Sequence, residues 1–157
     1  MRRRFSPLLI SSAPFALLSA TVAGCTAASA DGSSRWLSVA RDSTYAIAID
    51  TTRIERRMGG QWWLVWYRTD HAQTRHHKGE PFDREVVQSY LRCADLSFKI
   101  VSVDMSLGAN RPIAEQRLTP DEIAIQPWRQ VERGTIEEAA GRAACDFARR
   151  QYAARWR

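Results

Sequence analysis

Only three cysteines occur in the 157 residues, and no apolar run is long enough to cross a bilayer unbroken. Residues 5–23 come closest, but Pro7 and Pro14 interrupt them, so they read as an export signal rather than a membrane span. The chain contains no G-x-S-x-G, no phosphate-binding loop and no dinucleotide fingerprint. Zinc-type spacing is missing as well. An enzyme is not expected, nor is a cofactor or a metal. Acids are missing from both ends: residues 1–24 hold three arginines and no acid, and residues 149–157 hold four arginines and no acid. Of 23 basic residues, 16 therefore face all 17 acids between these ends, and the pI of about 9.8 reflects the termini rather than a basic domain. That distribution, with an export signal ahead of it, argues against nucleic-acid binding.

The signal ends on a specific pattern. Val22-Ala23-Gly24-Cys25 resembles the lipobox of bacterial lipoproteins, in which small residues lead into a cysteine. The resemblance implies a signal peptide over residues 1–24 and lipid on Cys25, which anchors the mature chain to its membrane. More than one acyl chain is needed for a durable anchor, and a lipoprotein cysteine carries more than one. Thr26 after the cysteine resembles the pattern sorted to the outer membrane. The alternatives are a plain signal peptide with an incidental cysteine, or a twin-arginine signal loosely matched by "RRRFS". Residues 25–34 are small and polar and read as a tether. Nine flexible residues span roughly 15 to 18 Å, so a domain over residues 35–148 would sit close to the membrane, followed by a basic tail over 149–157. The tail reads as a solvated helix end that can touch anionic headgroups.

Period-two alternation begins at Trp36. In "TYAIAID", Tyr45, Ile47 and Ile49 share one face while Ala46 and Ala48 share the other. Gly59-Gly60 separates "RIERR" from "QWWLVWYR" and predicts a hairpin, because its turn residues need positive φ. The second strand is apolar on both sides: Trp62, Leu64 and Trp66 alternate with Trp63, Val65 and Tyr67. Such a strand is central in a covered sheet or lies at an interface, and the first is preferred because aromatics usually form core. Residues 70–82 read as a polar loop. Strands follow over "EVVQSYLRC" and "LSFKIVSVDM", with a turn at residues 107–112, and an edge strand is expected around residues 124–128. The expected class is α+β, an antiparallel meander of about six strands packed by a C-terminal helix.

That helix starts at Thr135, whose hydroxyl and Glu138 form a capping-box pattern. At 100° per residue Ala140, Gly141, Ala144, Cys145, Phe147 and Ala148 fall on one arc, opposite Glu138, Arg142, Asp146 and Arg149. Cys93 and Cys145 are the pair left once Cys25 is lipidated. In an exported protein such a pair is most simply a disulfide, which removes the obvious nucleophile. The small residues around Cys145 would let the helix approach the sheet closely.

The ordered set of features resembles the bacterial surface-adhesin protein E-like lipoprotein domain. The pieces are Trp36, "YAIAID" before "RIERR", "WLVWY" at Trp63, Cys93, "VDMSLG", Trp128, "ERGT" and Cys145. The resemblance implies an antiparallel sheet with a C-terminal helix tied back by a disulfide. Arg133, where the family tends to carry proline, and the arginine-rich end depart from its pattern. Binding of macromolecules is what the family implies for function.

Other groups carry blander readings. His71, His76 and His77 could ligate a metal but read as solvated loop residues. Asp50 and Asp104 could pair as catalytic carboxylates but read as turn caps at strand ends. The resulting expectation is a non-enzymatic binding module of the cell envelope, with Trp36, Trp62, Trp66 and Trp128 as the binding surface. Its partner would be a protein or another envelope macromolecule, or a second copy of the chain. A periplasm-facing accessory lipoprotein is the alternative. So is a small-ligand carrier, which a deep pocket beside Trp62 or Trp66 would favour.

Overall fold

The computed structural model describes residues 35–154. Cys25, the tether and residues 155–157 lie outside them. The elements are β1 (Trp36–Arg41), β2 (Tyr45–Asp50), β3 (Glu55–Arg57), β4 (Trp62–His77), β5 (Glu80–Arg92), β6 (Ser97–Leu107) and β7 (Arg111–Arg117), then α1 (Pro120–Ile125), β8 (Arg129–Gln130) and α2 (Ile136–Ala154). Six strands run in the order β1-β2-β4-β5-β6-β7, with β3 joined to β4 and β8 to β6. Every pairing is antiparallel. The expected α+β meander packed by a C-terminal helix is the fold that forms.

Local chemistry sets the turns. Asp42 Oδ1 accepts from the backbone N–H groups of Thr44 and Tyr45 at 2.6 and 3.0 Å, closing the β1–β2 hairpin. Met58, Gly59 and Gly60 take φ of 46°, 65° and 96° between β3 and β4, where the Gly-Gly signal predicted a turn. A Cβ at Gly60 would displace the Arg56 guanidinium, 2.0 Å away at Nε, and the φ of 96° itself favours glycine.

Two expectations are corrected. Residues 70–82 are not a loop. β4 continues to His77, and a two-residue turn at Lys78 and Gly79, with φ of 50° and 88°, leads into β5. This part of the strand has residues 72–76 exposed on both sides, so no buried face writes an alternation into the sequence. Nor is there a strand at residues 124–128. Thr119 caps α1 there, its hydroxyl accepting from Glu122 N while the Glu122 carboxylate accepts from Thr119 N, with Pro120 at the first helical position. After α1 the Gln126 side chain bonds both Ile100 N and Ile100 O, at 3.1 and 3.3 Å, on the β6 edge between its partners β7 and β8.

The core lies between α2 and one face of the sheet. Ile49, Val65 and Leu91 meet Ala144, Cys145 and Ala148, and Trp63 and Tyr152 close the far end with rings 6.0 Å apart. The buried helix residues are Ala140, Gly141, Ala144, Cys145 and Ala148, most of the arc read from the sequence, while Phe147 is only half-buried. Their small side chains bring the helix close, and Cys145 is joined to Cys93 by a disulfide with Cα atoms 5.8 Å apart. At the helix start Glu138 N donates to Thr135 Oγ1, and the Glu138 carboxylate accepts from Gly134 N, one residue earlier than a capping box requires. Tyr45 Oη donates to Glu137 Oε1, tying that end to β2; burial, then the Glu137 carboxylate, push the Tyr45 hydroxyl up to about 12. The helix continues through Arg149 and Arg150 to Ala154.

Candidate functional site

β4 is central, and its two aromatic faces have different neighbours. Trp63, Val65 and Tyr67 point toward α2, in register with Leu91, Ser89 and Val87. Trp62, Leu64, Trp66, Arg68 and Asp70 therefore point the opposite way, beside Tyr90, Gln88, Val86 and Arg84 of β5. On β2 and β1 the same face carries Ala48, Asp50 and Trp36, since Trp36 stands opposite Asp50 and Ala48 opposite Arg68. Trp128, entering from the segment after α1, stacks on Trp62 with ring centroids 5.2 Å apart, and Trp62 also meets Tyr90 at 5.9 Å. Trp36, Trp62, Trp66 and Trp128, the four tryptophans singled out from the sequence, thus share the face away from α2, each half-buried.

Cations lie over three of them directly. Arg35 and Arg68 approach the Trp36 ring at 5.5 and 5.3 Å, Arg53 lies 4.9 Å from Trp66, and Arg92 and Lys99 sit 4.7 and 5.4 Å from Trp128. Each such contact is worth about 0.5 to 1 kcal/mol at a partly exposed site. Two aspartates hold the guanidinium groups in place. Asp50, fully buried, accepts from Arg35 Nε at 2.5 Å and Arg53 Nε at 2.6 Å through one oxygen, and from Thr52 N and Thr52 Oγ1 through the other. Asp70 accepts from Arg68 Nε at 2.9 Å and Arg84 Nε at 2.5 Å. The result is a continuous chain across β1, β2, β4 and β5: Trp66, Arg53, Asp50, Arg35, Trp36, Arg68, Asp70, Arg84.

The arginines escaped the sequence reading, although a signal was present. Trp66, Arg68 and Asp70 are spaced by two along one strand, and strand alternation alone puts them on one face.

The remaining candidates are not brought together. Asp50 caps the turn after β2, as expected, but Asp104 lies inside β6 rather than at a strand end, opposite Glu115. β4 and β5 separate the two aspartates, about 14 Å across the sheet. Burial first, then the Glu115 charge, hold the Asp104 carboxyl above its ordinary range against the pull of Arg117, and its Oδ1 is buried without a hydrogen bond. A carboxyl raised by folding contributes stability below its ordinary pKa that is lost as pH rises through the raised value. Asp104→Asn should therefore stabilise the domain at pH 7 and not at pH 3. The gain, screened by solvent, is a few tenths of a kcal/mol, about 2 °C in Tm. Thermal melts at both pH values test it, and an equal gain at pH 3 would contradict the assignment.

His71 is in β4, not a loop. Its ring packs 5.9 Å from Tyr45 and 5.8 Å from Phe82, with both nitrogens buried and no hydrogen bond. Glu85 Oε1 lies 3.5 Å from Nε2, within reach of a charge pair with a protonated ring but without hydrogen-bond geometry. His76 and His77 are further along the strand, His76 exposed. Among the described residues no group of three or more His, Cys, Asp or Glu side chains could hold a metal. An apolar cavity of about 150 Å³ lies under α2, between Ala140 and Gly141 on the helix and Tyr67, Val87 and Phe98 on the sheet. No tryptophan lines it, so the feature that would favour a carrier is not where that reading needs it.

The family model for surface-adhesin protein E matches residues 36–146, from the Trp36 of this chain of side chains to the residue after the disulfide-bonded Cys145. The chain belongs to that family. No curated protein and no solved structure matches it. The span of the family takes in β1 to β8 and the first half of α2, hence the four tryptophans and the arginines of that face other than Arg35. Among the described residues no helix is long and apolar enough to cross a membrane.

Proposed function

We propose that the protein is a non-enzymatic binding module of the bacterial cell envelope, held in the outer membrane by lipid on Cys25, that captures a protein or envelope macromolecule on the sheet face opposite α2. One observation carries this reading: Trp36, Trp62, Trp66 and Trp128, from opposite ends of the chain, gather on that face. Tryptophan and arginine dominate the hot spots of protein interfaces, commonly at 2 kcal/mol or more each. Membership of the surface-adhesin protein E family supports it.

The test is capture. The full chain, sized first in solution, is used to retain partners from envelope extract and from purified extracellular-matrix proteins, alongside Trp62→Ala and Trp66→Ala. Each substitution should weaken retention at least tenfold, roughly the 1.4 kcal/mol per decade of a lost hot spot. Retention that survives both would count against the face. A dimer that dissociates in the same variants would give the face to a second copy instead.

The anchor is tested separately. Cys25→Ser should move the protein wholly into the aqueous phase of a detergent partition, or leave its signal uncleaved, whereas the native chain follows the detergent. Native protein in the aqueous phase would remove the lipid from this account.

A further inference from the structure

The two ends of the tryptophan face treat their cations differently. At the Trp128 end they are spent. Arg92 gives Nε and Nη2 to Asp95 at 3.0 and 2.7 Å, and Lys99 Nζ gives itself to the carbonyls of Ile123 and Ala124 at 3.0 and 3.1 Å. At the Trp36 and Trp66 end they are not. Among the described residues, every side-chain hydrogen bond of Arg35, Arg53, Arg68 and Arg84 runs through Nε, so the Nη amino groups donate to none of them. Two guanidinium groups share each carboxylate, so the Asp50 unit and the Asp70 unit each carry one net positive charge. Asp70 stands opposite Ala46, four residues before Asp50 on β2, which separates the two carboxylates by about 14 Å, while Arg35 of one unit and Arg68 of the other meet at the Trp36 ring.

We propose that this end of the face binds an acidic polypeptide segment in extended conformation, its carboxylates taken by the free Nη groups of the two units. The proposal rests on the reading of the face as the binding surface, and it names the partner's chemistry. Arginine forks match carboxylates in geometry, and both units already hold one each, Asp50 and Asp70. An extended chain repeats on one side every two residues, so side chains four apart lie about 13 Å from each other and reach both units. Guanidinium groups cover the rings of Trp36 and Trp66. A sugar would need those aromatic faces bare for stacking, which disfavours a glycan. Every cation of the pair of units is arginine, although the chain as a whole also contains Lys78 and Lys99.

Labelled poly-L-glutamate is titrated onto the full chain in neutral detergent, with heparin in a parallel titration. Saturable binding that weakens as salt rises is expected, with Arg68→Gln and Arg84→Gln each about tenfold weaker, the loss of one charge-assisted fork. Arg68→Lys should weaken binding nearly as much, because it keeps the charge and loses the fork. Arg142→Gln should leave it unchanged, since Arg142 lies on the exposed side of α2, away from this face, and is paired with Glu138. Asp70 is about a third exposed, at 34 %, so water can replace a lost arginine there, and among the described residues Arg84 lies over no tryptophan; melts of each variant confirm the fold. No binding of poly-L-glutamate, binding of heparin alone, or equal loss in Arg142→Gln would overturn the proposal. Should poly-L-glutamate fail while Trp62→Ala and Trp66→Ala still abolish capture, the acidic segment is wrong and the binding face stands. Capture that survives the tryptophan variants removes both.

Discussion

Replacing Cys93 and Cys145 together by alanine should lower the stability of the domain by about 2 to 5 kcal/mol and its Tm by about 10 °C or more. The bond closes a separation of 52 residues, for which loop entropy alone suggests about 4 kcal/mol. The helix depends on it more than its length implies. Its buried side chains are Ala140, Ala144, Cys145 and Ala148 with Gly141, which bring the backbone close but remove little apolar surface from water. A helix of 19 residues held by such small contacts leans on its covalent tie and on Trp63 against Tyr152. Urea titration of the double variant beside the native chain, and of the native chain with and without a thiol reductant, measures the loss. A midpoint that does not move would show that the packing suffices.

Asp50→Ala should cost about 3 kcal/mol. The carboxylate is completely buried and accepts four hydrogen bonds, two from guanidinium groups and two from Thr52. Removing one partner of a buried ion pair commonly costs 3 to 5 kcal/mol, and the lower end applies because Arg35 and Arg53 keep 39 and 41 % of their side chains exposed and can rehydrate. The loss should appear both in the denaturation midpoint and in a shifted tryptophan emission, since those two arginines lie over Trp36 and Trp66. A cost below about 0.5 kcal/mol, the usual scatter of surface changes, would mean that Asp50 does not organise the face.

Where the core writes a pattern, the sequence is readable. Tyr45, Ile47 and Ile49 alternate because one side of β2 meets α2, and the helix arc follows its period because one stripe is buried. Thr119, Pro120 and Glu122 spell a capped helix start as plainly as Thr135 does, yet the alternating Ile123 and Ile125 and the apolar Trp128 suggested a strand. A six-residue helix offers too few turns for its period to outvote such a run. Residues 72–76 of β4 are exposed on both sides, so charge and polarity made a paired strand look like a loop. The shared face of Trp36, Trp62, Trp66 and Trp128 lay further out of reach. Trp62 and Trp66 fall together by alternation, but Trp36 joins them through the β1–β2 register and Trp128 through a stacked ring, and a linear sequence holds neither.

The Gln126 amide on β6 bears on life in a crowd. If lipid on Cys25 holds the protein in a membrane, as proposed above, its copies would share two dimensions, where any bare ladder of backbone groups becomes a template for fusion. Gln126 fills the one interval on the outer side of β6 that β7 and β8 leave between them, offering a carbonyl and an amide where another chain's backbone would otherwise dock. The two outer margins of the sheet are roughened in their own ways, β1 by an irregularity in register between Ser38 and Ala40, β7 by Pro112 and by the exposed charges of Arg111, Glu115 and Arg117. A single side chain thus closes the interval in the β6 ladder that would otherwise stay open between β7 and β8.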